Sequence, residues 1–351
     1  MTPSVQPATA TLHALRPFEV TTDDGIRLRG VVRDPVRDPV RDPVRDAASD
    51  GGGDRGDPAT RTGATGAPET EGEPHRRATV VLVNGLTMSV AAWDGLERLL
   101  AAERPVVRYD MRGQGASGAP QGPYPPSRHA ADLEQVLGAL QLSRVHLVAL
   151  SNGGLVAQRV AARLAEGDAV GDAEGTAAAP GSGPEATAGT RLVSLALLDS
   201  FATVDAHLRA VLRSWLQALD GGGAEARFDA ALPWVWGPDF LEANAVAIAD
   251  ARGTAGSAPS HAVRGLIEGL LTDETREPCP GLARVDTPLL VAVGEHDVLT
   301  PRRASAAITA AFGRGDVTVV PGVGHAAPIE DPRAVARLLL PFLAAAESEP
   351  A

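Results

Sequence analysis

The sequence predicts a mostly parallel α/β sheet with helices on both faces, and three observations carry the prediction. Short runs of Val and Leu recur along the chain, bounded by Gly, Asp and Asn. Runs that short and that uniformly apolar suit strands buried on both faces better than helices or half-exposed strands. Helical patterns separate them, and strand–helix alternation is the mark of a parallel sheet covered by its crossover helices.

Taken in order, residues 18–22 and 26–32 flank Asp23-Asp24-Gly25 and read as an opening hairpin. Strands are then expected at 79–83, 106–109, 145–150, 192–198, 289–293 and 317–320. Leu133, Val136, Leu137 and Leu140 fall at i, i+3, i+4 and i+7, as do Val335, Leu338, Leu339 and Phe342. That spacing lines one face of a helix.

Two segments depart from this pattern. From Asp34 the tetrapeptide Asp-Pro-Val-Arg repeats three times, and Gly/Asp/Thr/Pro-rich sequence follows to residue 77. A Pro at every fourth position removes helix donors and bars a central strand. Residues 167–190 are built from Gly, Ala, Thr, Pro, Ser and acids. Both segments, 34–77 and 167–190, read as low-complexity insertions. The remainder divides into an N-terminal tail (1–16), a core (17–200 with 280–346) and an intervening cap (201–279).

All 32 basic residues of the 351 are Arg, and the formal net charge is −12. A chain so acidic repels phosphates, which argues against nucleic-acid binding. The single Cys279 excludes an internal disulfide and a cysteine zinc site. Residues 1–20 lack the basic and apolar regions of a signal peptide, and no run approaches the ~20 apolar residues of a membrane helix. A cytoplasmic protein without a membrane partner is expected.

In parallel sheets ligands bind beyond the carboxyl ends of the strands, so the residues after each run are the informative ones. After 145–150 comes Ser151-Asn152-Gly153-Gly154 and then a helical pattern. A strand, a Ser and a helix in that order form a nucleophile elbow, whose small neighbours let the backbone turn sharply under the hydroxyl. The bland alternative is a helix N-cap.

A Ser hydroxyl needs a base, and the base an orienting acid. His325 follows the last run in Pro321-Gly322-Val323-Gly324-His325, and Asp297 follows the preceding one in Gly294-Glu295-His296-Asp297. Asp199, at the end of 192–198, is the rival acid; the Gly-rich loop of Asp297 favours the latter. His146 suits a core position, His296 a bystander, and His129 could line a pocket.

The Asn152 amide, just after the nucleophile, and the Leu86 amide in Asn84-Gly85-Leu86-Thr87-Met88 are the candidate oxyanion donors. Gly113-Gln114-Gly115-Ala116-Ser117-Gly118 matches a dinucleotide fingerprint, but Pro120, Pro123, Pro125 and Pro126 follow where a helix would have to start. No metal-ligand spacing appears. No cofactor is therefore expected.

Over nearly its whole length the chain resembles the α/β-hydrolase superfamily. The resemblance rests on Asn84-Gly85, Arg108-Tyr109-Asp110-Met111-Arg112-Gly113-Gln114-Gly115-Ala116-Ser117, the Ser151 elbow, Gly294-Glu295-His296-Asp297 with Thr300-Pro301, and Gly324-His325. The Trp93 region and Gly122-Pro123-Tyr124 look most like 3-oxoadipate enol-lactonases and related small esterases. The resemblance implies an α/β-hydrolase fold with a helical cap inserted after the sixth strand. It also implies a Ser151–Asp297–His325 triad acting on a small ester or lactone. Epoxide hydrolases and dehalogenases of this fold would carry Asp in place of Ser151.

Six of the ten Phe and Trp residues lie between residues 201 and 240. They either pack the cap or line an acyl pocket; Asn84, Trp215, Trp234 and Trp236 are the pocket candidates. The same triad could serve a thioesterase, a transacylase, a carbon–carbon bond hydrolase or a perhydrolase. A non-catalytic ligand-binding protein on this fold is the remaining alternative.

Overall fold

The structure, a computed structural model, describes residues 15–35, 77–171, 187 and 189–348. Of the two low-complexity segments, residues 36–76, 172–186 and 188 lie outside the described residues, whereas 167–171, expected to begin the second insertion, continue the helix that starts at Asn152. An eight-stranded sheet organises the rest: β1 (Leu15–Thr21), β2 (Arg27–Arg33), β3 (Thr79–Val83), β4 (Val106–Asp110), β5 (Arg144–Leu150), β6 (Arg191–Leu198), β7 (Leu289–Gly294) and β8 (Val317–Val320).

The spatial order is β1-β2-β4-β3-β5-β6-β7-β8. β1 pairs with β2, and β2 with β4, antiparallel; every later pairing is parallel. The central strands are buried along nearly their whole lengths, which is why they read as continuous Val/Leu runs and not as alternating ones.

Helices α1 (Asp94–Leu100) and α10 (Pro332–Ser348) cover one face, packing Leu96, Leu100, Leu339 and Leu343 against Val80, Leu82 and Val148. Helices α2 (Pro126–Ala139), α3 (Asn152–Gly171) and α8 (Arg302–Phe312) cover the other, with Leu133, Leu137, Val156, Val160 and Ile308 against Val81 and Leu147. The apolar stripe predicted at Leu133, Val136 and Leu137 is the buried face of α2.

Between β6 and β7 the chain forms α4 (Ala206–Val235), α5 (Pro238–Ala243), α6 (Ala245–Gly256) and α7 (Ser260–Leu270). This is the helical insertion expected after the sixth strand. α4 is two helical segments broken at Gly222 and Gly223, and Gly223 takes a positive φ of 72°. Its buried residues join α7 and Phe201 in a separate apolar cluster around Trp215. The short α9 (Ala327–Glu330) follows the loop after β8.

Candidate active site

Three strand ends converge. Ser151 sits between β5 and α3 with φ at +54°, in the left-handed region that a non-glycine residue enters only under constraint. The constraint comes from both sides. Ser151 N–H donates to the Leu198 carbonyl at 2.9 Å, and Ser200 Oγ donates to the Ser151 carbonyl at 2.8 Å. The turn also needs Gly153, where a Cβ would stand 2.5 Å from the Asn84 carbonyl oxygen and 2.6 Å from that of Val83. Nucleophile elbows commonly read Gly-x-Ser-x-Gly, and here Ala149 takes the place of the first Gly; it is fully buried, so its methyl is accommodated.

His325 Nε2 lies 2.7 Å from Ser151 Oγ, and His325 Nδ1 lies 2.9 Å from Asp297 Oδ2. With its proton on Nδ1, donated to Asp297, the ring presents Nε2 as the acceptor for the Ser151 hydroxyl. Asp297 also accepts the Leu299 and Thr300 amides at 2.9 and 2.8 Å. All three side chains are buried, with Ser151 8% exposed.

The rival carboxylate, Asp199, is engaged elsewhere. It accepts the Gly294 amide at 2.7 Å and the Ala327 amide at 3.1 Å, tying the end of β7 to α9. Burial, and after it the nearby Asp297, push its carboxyl well above the ordinary carboxylate range. Close approach of the acid and imidazole loops depends on Gly294 and Gly324, since a Cβ on Gly294 would overlap the Gly324 carbonyl.

The loop after β3, residues 84–88, is held from behind. Trp93 Nε1 donates to Asn84 Oδ1 at 2.7 Å, Asn84 Nδ2 to Gln114 Oε1 at 2.9 Å, and Gln114 Nε2 to the Gly85 carbonyl at 2.8 Å. Asn84 is fully buried in this chain, so the structure places it behind the loop and not on a pocket wall. Neither the Leu86 nor the Asn152 amide donates to a protein acceptor among the described residues. A Cβ built on Gly85 would lie 3.4 Å from Ser151 Cβ, which places the loop against the elbow.

The loop that mimics a dinucleotide fingerprint has a structural use. Asp110 accepts the Val90 and Ala116 amides at 2.7 and 2.8 Å, and a Cβ on Gly115 would overlap its carboxylate.

The pocket candidates separate. Trp215 is buried in the cap cluster. Trp234 packs beside that cluster with its ring edge-on to His207, and Trp236 stacks on Phe240 at 4.8 Å. His146 bonds Ser194 Oγ at 2.8 Å in the core, and His296 is exposed. His129 is buried with neither ring nitrogen bonded, and burial lowers its pKa to about 3.

The profile described as the alpha/beta hydrolase family matches residues 80–338. The chain belongs to that family. Among its relatives, RutD of Caulobacter segnis, named as a candidate carbamate hydrolase, is 27% identical over 271 residues, spanning 76% of this chain and 91% of that protein. RutD of Variovorax paradoxus is 29% identical over 274 residues, spanning 76% and 91%. Similar solved structures include a thermophilic esterase from Thermogutta terrifontis, with TM-score 0.69 and 20% identity, covering 95% of this chain and all of that one. The enol-lactonase from Burkholderia xenovorans LB400 gives TM-score 0.66 and 20% identity, covering 93% of this chain and 100% of that one.

For a hydrolase of this family, the residue that sequence reading left without a role is Thr300. Its Oγ1 stands 2.8 Å from Asp297 Oδ2, 2.9 Å from the Asp199 carbonyl and 3.0 Å from His325 Nδ1. The signal available beforehand was its place three residues after Asp297 in a loop already singled out.

Proposed function

We propose that this hydrolase cleaves a small carboxylic ester or lactone through an acyl-enzyme on Ser151. The observation that carries the reading is the continuous line from Ser151 Oγ to His325 (2.7 Å) and from His325 to Asp297 (2.9 Å), with two unengaged amides beside it. Both separations fall within hydrogen-bond reach, which is the geometric requirement for a nucleophile, its base and the group that orients the base.

In this mechanism Ser151 attacks the carbonyl carbon as its proton passes to His325 Nε2. Asp297 holds the ring by Nδ1 and stabilises the imidazolium. The Leu86 and Asn152 amides receive the negative charge that develops on the carbonyl oxygen. His325 then returns the proton to the departing oxygen, which leaves as alcohol or, from a lactone, as the tethered hydroxyl. In the second half-reaction water loses its proton to His325, attacks the acyl carbon, and the proton returns to Ser151 as the acid is freed. No step calls for a cofactor or a metal ion.

A fluorophosphonate tests the reading directly. Folded wild type should be labelled, and Ser151→Ala should not; a folded but unlabelled wild type would favour a ligand-binding role on this fold. Turnover across p-nitrophenyl esters of increasing acyl length, with an enol-lactone and an aryl carbamate alongside, then ranks the substrate classes. A thioester, an added alcohol acceptor and peroxide would expose the thioesterase, transacylase and perhydrolase alternatives.

A further inference from the structure

Arg227 lies in the second helical segment of α4, 5% exposed. Its Nη2 donates to Thr87 Oγ1 at 2.8 Å, and its guanidinium carbon stands 5.9 Å from the centre of the Trp215 ring. Its Nε has no acceptor, and no carboxylate among the described residues forms an ion pair with it. Trp215 Nε1 is likewise buried without a partner among the described residues. Burial lowers the Arg227 pKa to about 10, so the group is still a cation at neutral pH.

Buried charges in folded proteins are nearly always paired, because an isolated one has lost its hydration without recompense. Holding Thr87 would need only a neutral donor. The cation is also tied to the loop that carries a proposed oxyanion donor. Thr87 follows Leu86, the proposed oxyanion donor, and holds φ at +56°, a strained value for a β-branched residue. Eight residues beyond Arg227 on α4, the Val235 carbonyl accepts the His325 amide at 2.9 Å. The helix segment therefore runs about 12 Å from a contact with the imidazole loop to Arg227.

We propose that Arg227, with the Trp215 N–H, forms an anion subsite that receives a carboxylate borne by the substrate several bonds from the reacting carbonyl. The inference rests on the ester or lactone reading above and narrows it to acidic esters and lactones. One unpaired cation balances one negative charge, and in a chain of net charge −12 that favours a monocarboxylate over a polyanion. A planar carboxylate also matches the free edge of a guanidinium.

The test compares p-nitrophenyl hydrogen glutarate with its methyl ester, the same acyl chain with its charge removed. Wild type should favour the acid by about 10- to 100-fold in kcat/KM, the range for a hydrogen bond to a charged group. The succinate and adipate half-esters locate the best length. In Arg227→Met the ratio should fall toward one, and Arg227→Lys should keep part of it. A ratio near one in wild type at all three lengths would overturn the inference, as would an unchanged ratio in Arg227→Met.

Should Arg227→Met not fold, wild type alone decides. Monomethyl glutarate should protect Ser151 from the fluorophosphonate where dimethyl glutarate does not; equal protection counts against the subsite. Labelling of Ser151 without any preference for acids defeats the subsite and leaves the serine-hydrolase reading standing. Absence of both labelling and ester turnover defeats that reading. Calorimetric binding of monomethyl glutarate, present in wild type and lost in Arg227→Met, would then still decide the subsite.

Discussion

Around Ser151 the side chains of Asp297, His325, Thr300 and Asp199 all close bonds within the protein, whereas in the cap Arg227 Nε and Trp215 Nε1 are buried with no acceptor. The loops at the strand ends form a finished polar network. The cap is a mostly apolar cluster holding polar groups that lack partners. An unsatisfied buried donor costs about 1–3 kcal/mol, so the network is stable by itself while the cap gains from a ligand that supplies acceptors. The exceptions in the first region are the open Leu86 and Asn152 amides and Asn152 Oδ1, which is buried and unbonded beside Ser151.

That contrast can be broken in several ways, beginning with the largest effect. Ser151→Ala, or Asp297→Asn with its altered imidazole tautomer, should lower kcat for every ester by about 10⁴-fold. Steady-state assays at saturating substrate measure this, with circular dichroism confirming the fold. Next comes Gly153→Ala, whose new methyl would press on the backbone of β3 and on Asn84. Urea unfolding should show a loss on the order of 3 kcal/mol, since neither neighbour is a flexible side chain.

Thr300→Val should cut kcat by about 10- to 100-fold for acidic and neutral esters alike, because it removes a hydrogen bond to the Asp297 carboxyl that holds His325. Arg227 substitutions, by contrast, should change which esters are preferred. If Thr300→Val altered the preference, or Arg227→Met slowed every ester equally, the two regions would not divide the work as described.

The most gradual effect, spread over several pH units, is on stability in acid. His129 is held neutral in the fold, its pKa lowered by burial from the ordinary 6.5 to about 3, with Arg112 and Arg128 adding to the shift. For a base with a depressed folded pKa, the unfolded chain takes up the proton first. Stability is therefore lost as pH falls below 6.5, by up to about 1.4 kcal/mol per pH unit, until the folded form protonates too. His129→Phe should flatten that part of the stability–pH curve measured by urea unfolding. An unchanged slope would mean the ring finds a partner for its proton.

The strands were legible because burial on both faces leaves continuous Val/Leu runs, and strand ends mark where a ligand must approach. Ser151, Asp297 and His325 could be singled out because each follows such a run within a few residues of a Gly. Choosing between Asp199 and Asp297 was harder, since both follow strands; the structure turns Asp199 into the Gly294 and Ala327 amides.

The chain from Trp93 through Asn84 and Gln114 to Gly85 was hidden, because it joins residues up to 30 positions apart by side-chain geometry alone. Asn84 consequently looked like a pocket residue. Arg227 was hidden for another reason. It is one of many arginines, and only packing distinguishes a buried unpaired cation from a solvated one.

The most direct measurement of the central claim is rapid quenching of a p-nitrophenyl ester reaction followed by peptide mass spectrometry. The account predicts a burst of about one p-nitrophenolate per chain when deacylation is the slower step. It also predicts an acyl group on the peptide containing Ser151, absent from Ser151→Ala. Ester turnover that continues undiminished in Ser151→Ala, or an acyl group mapped to another residue, would contradict it.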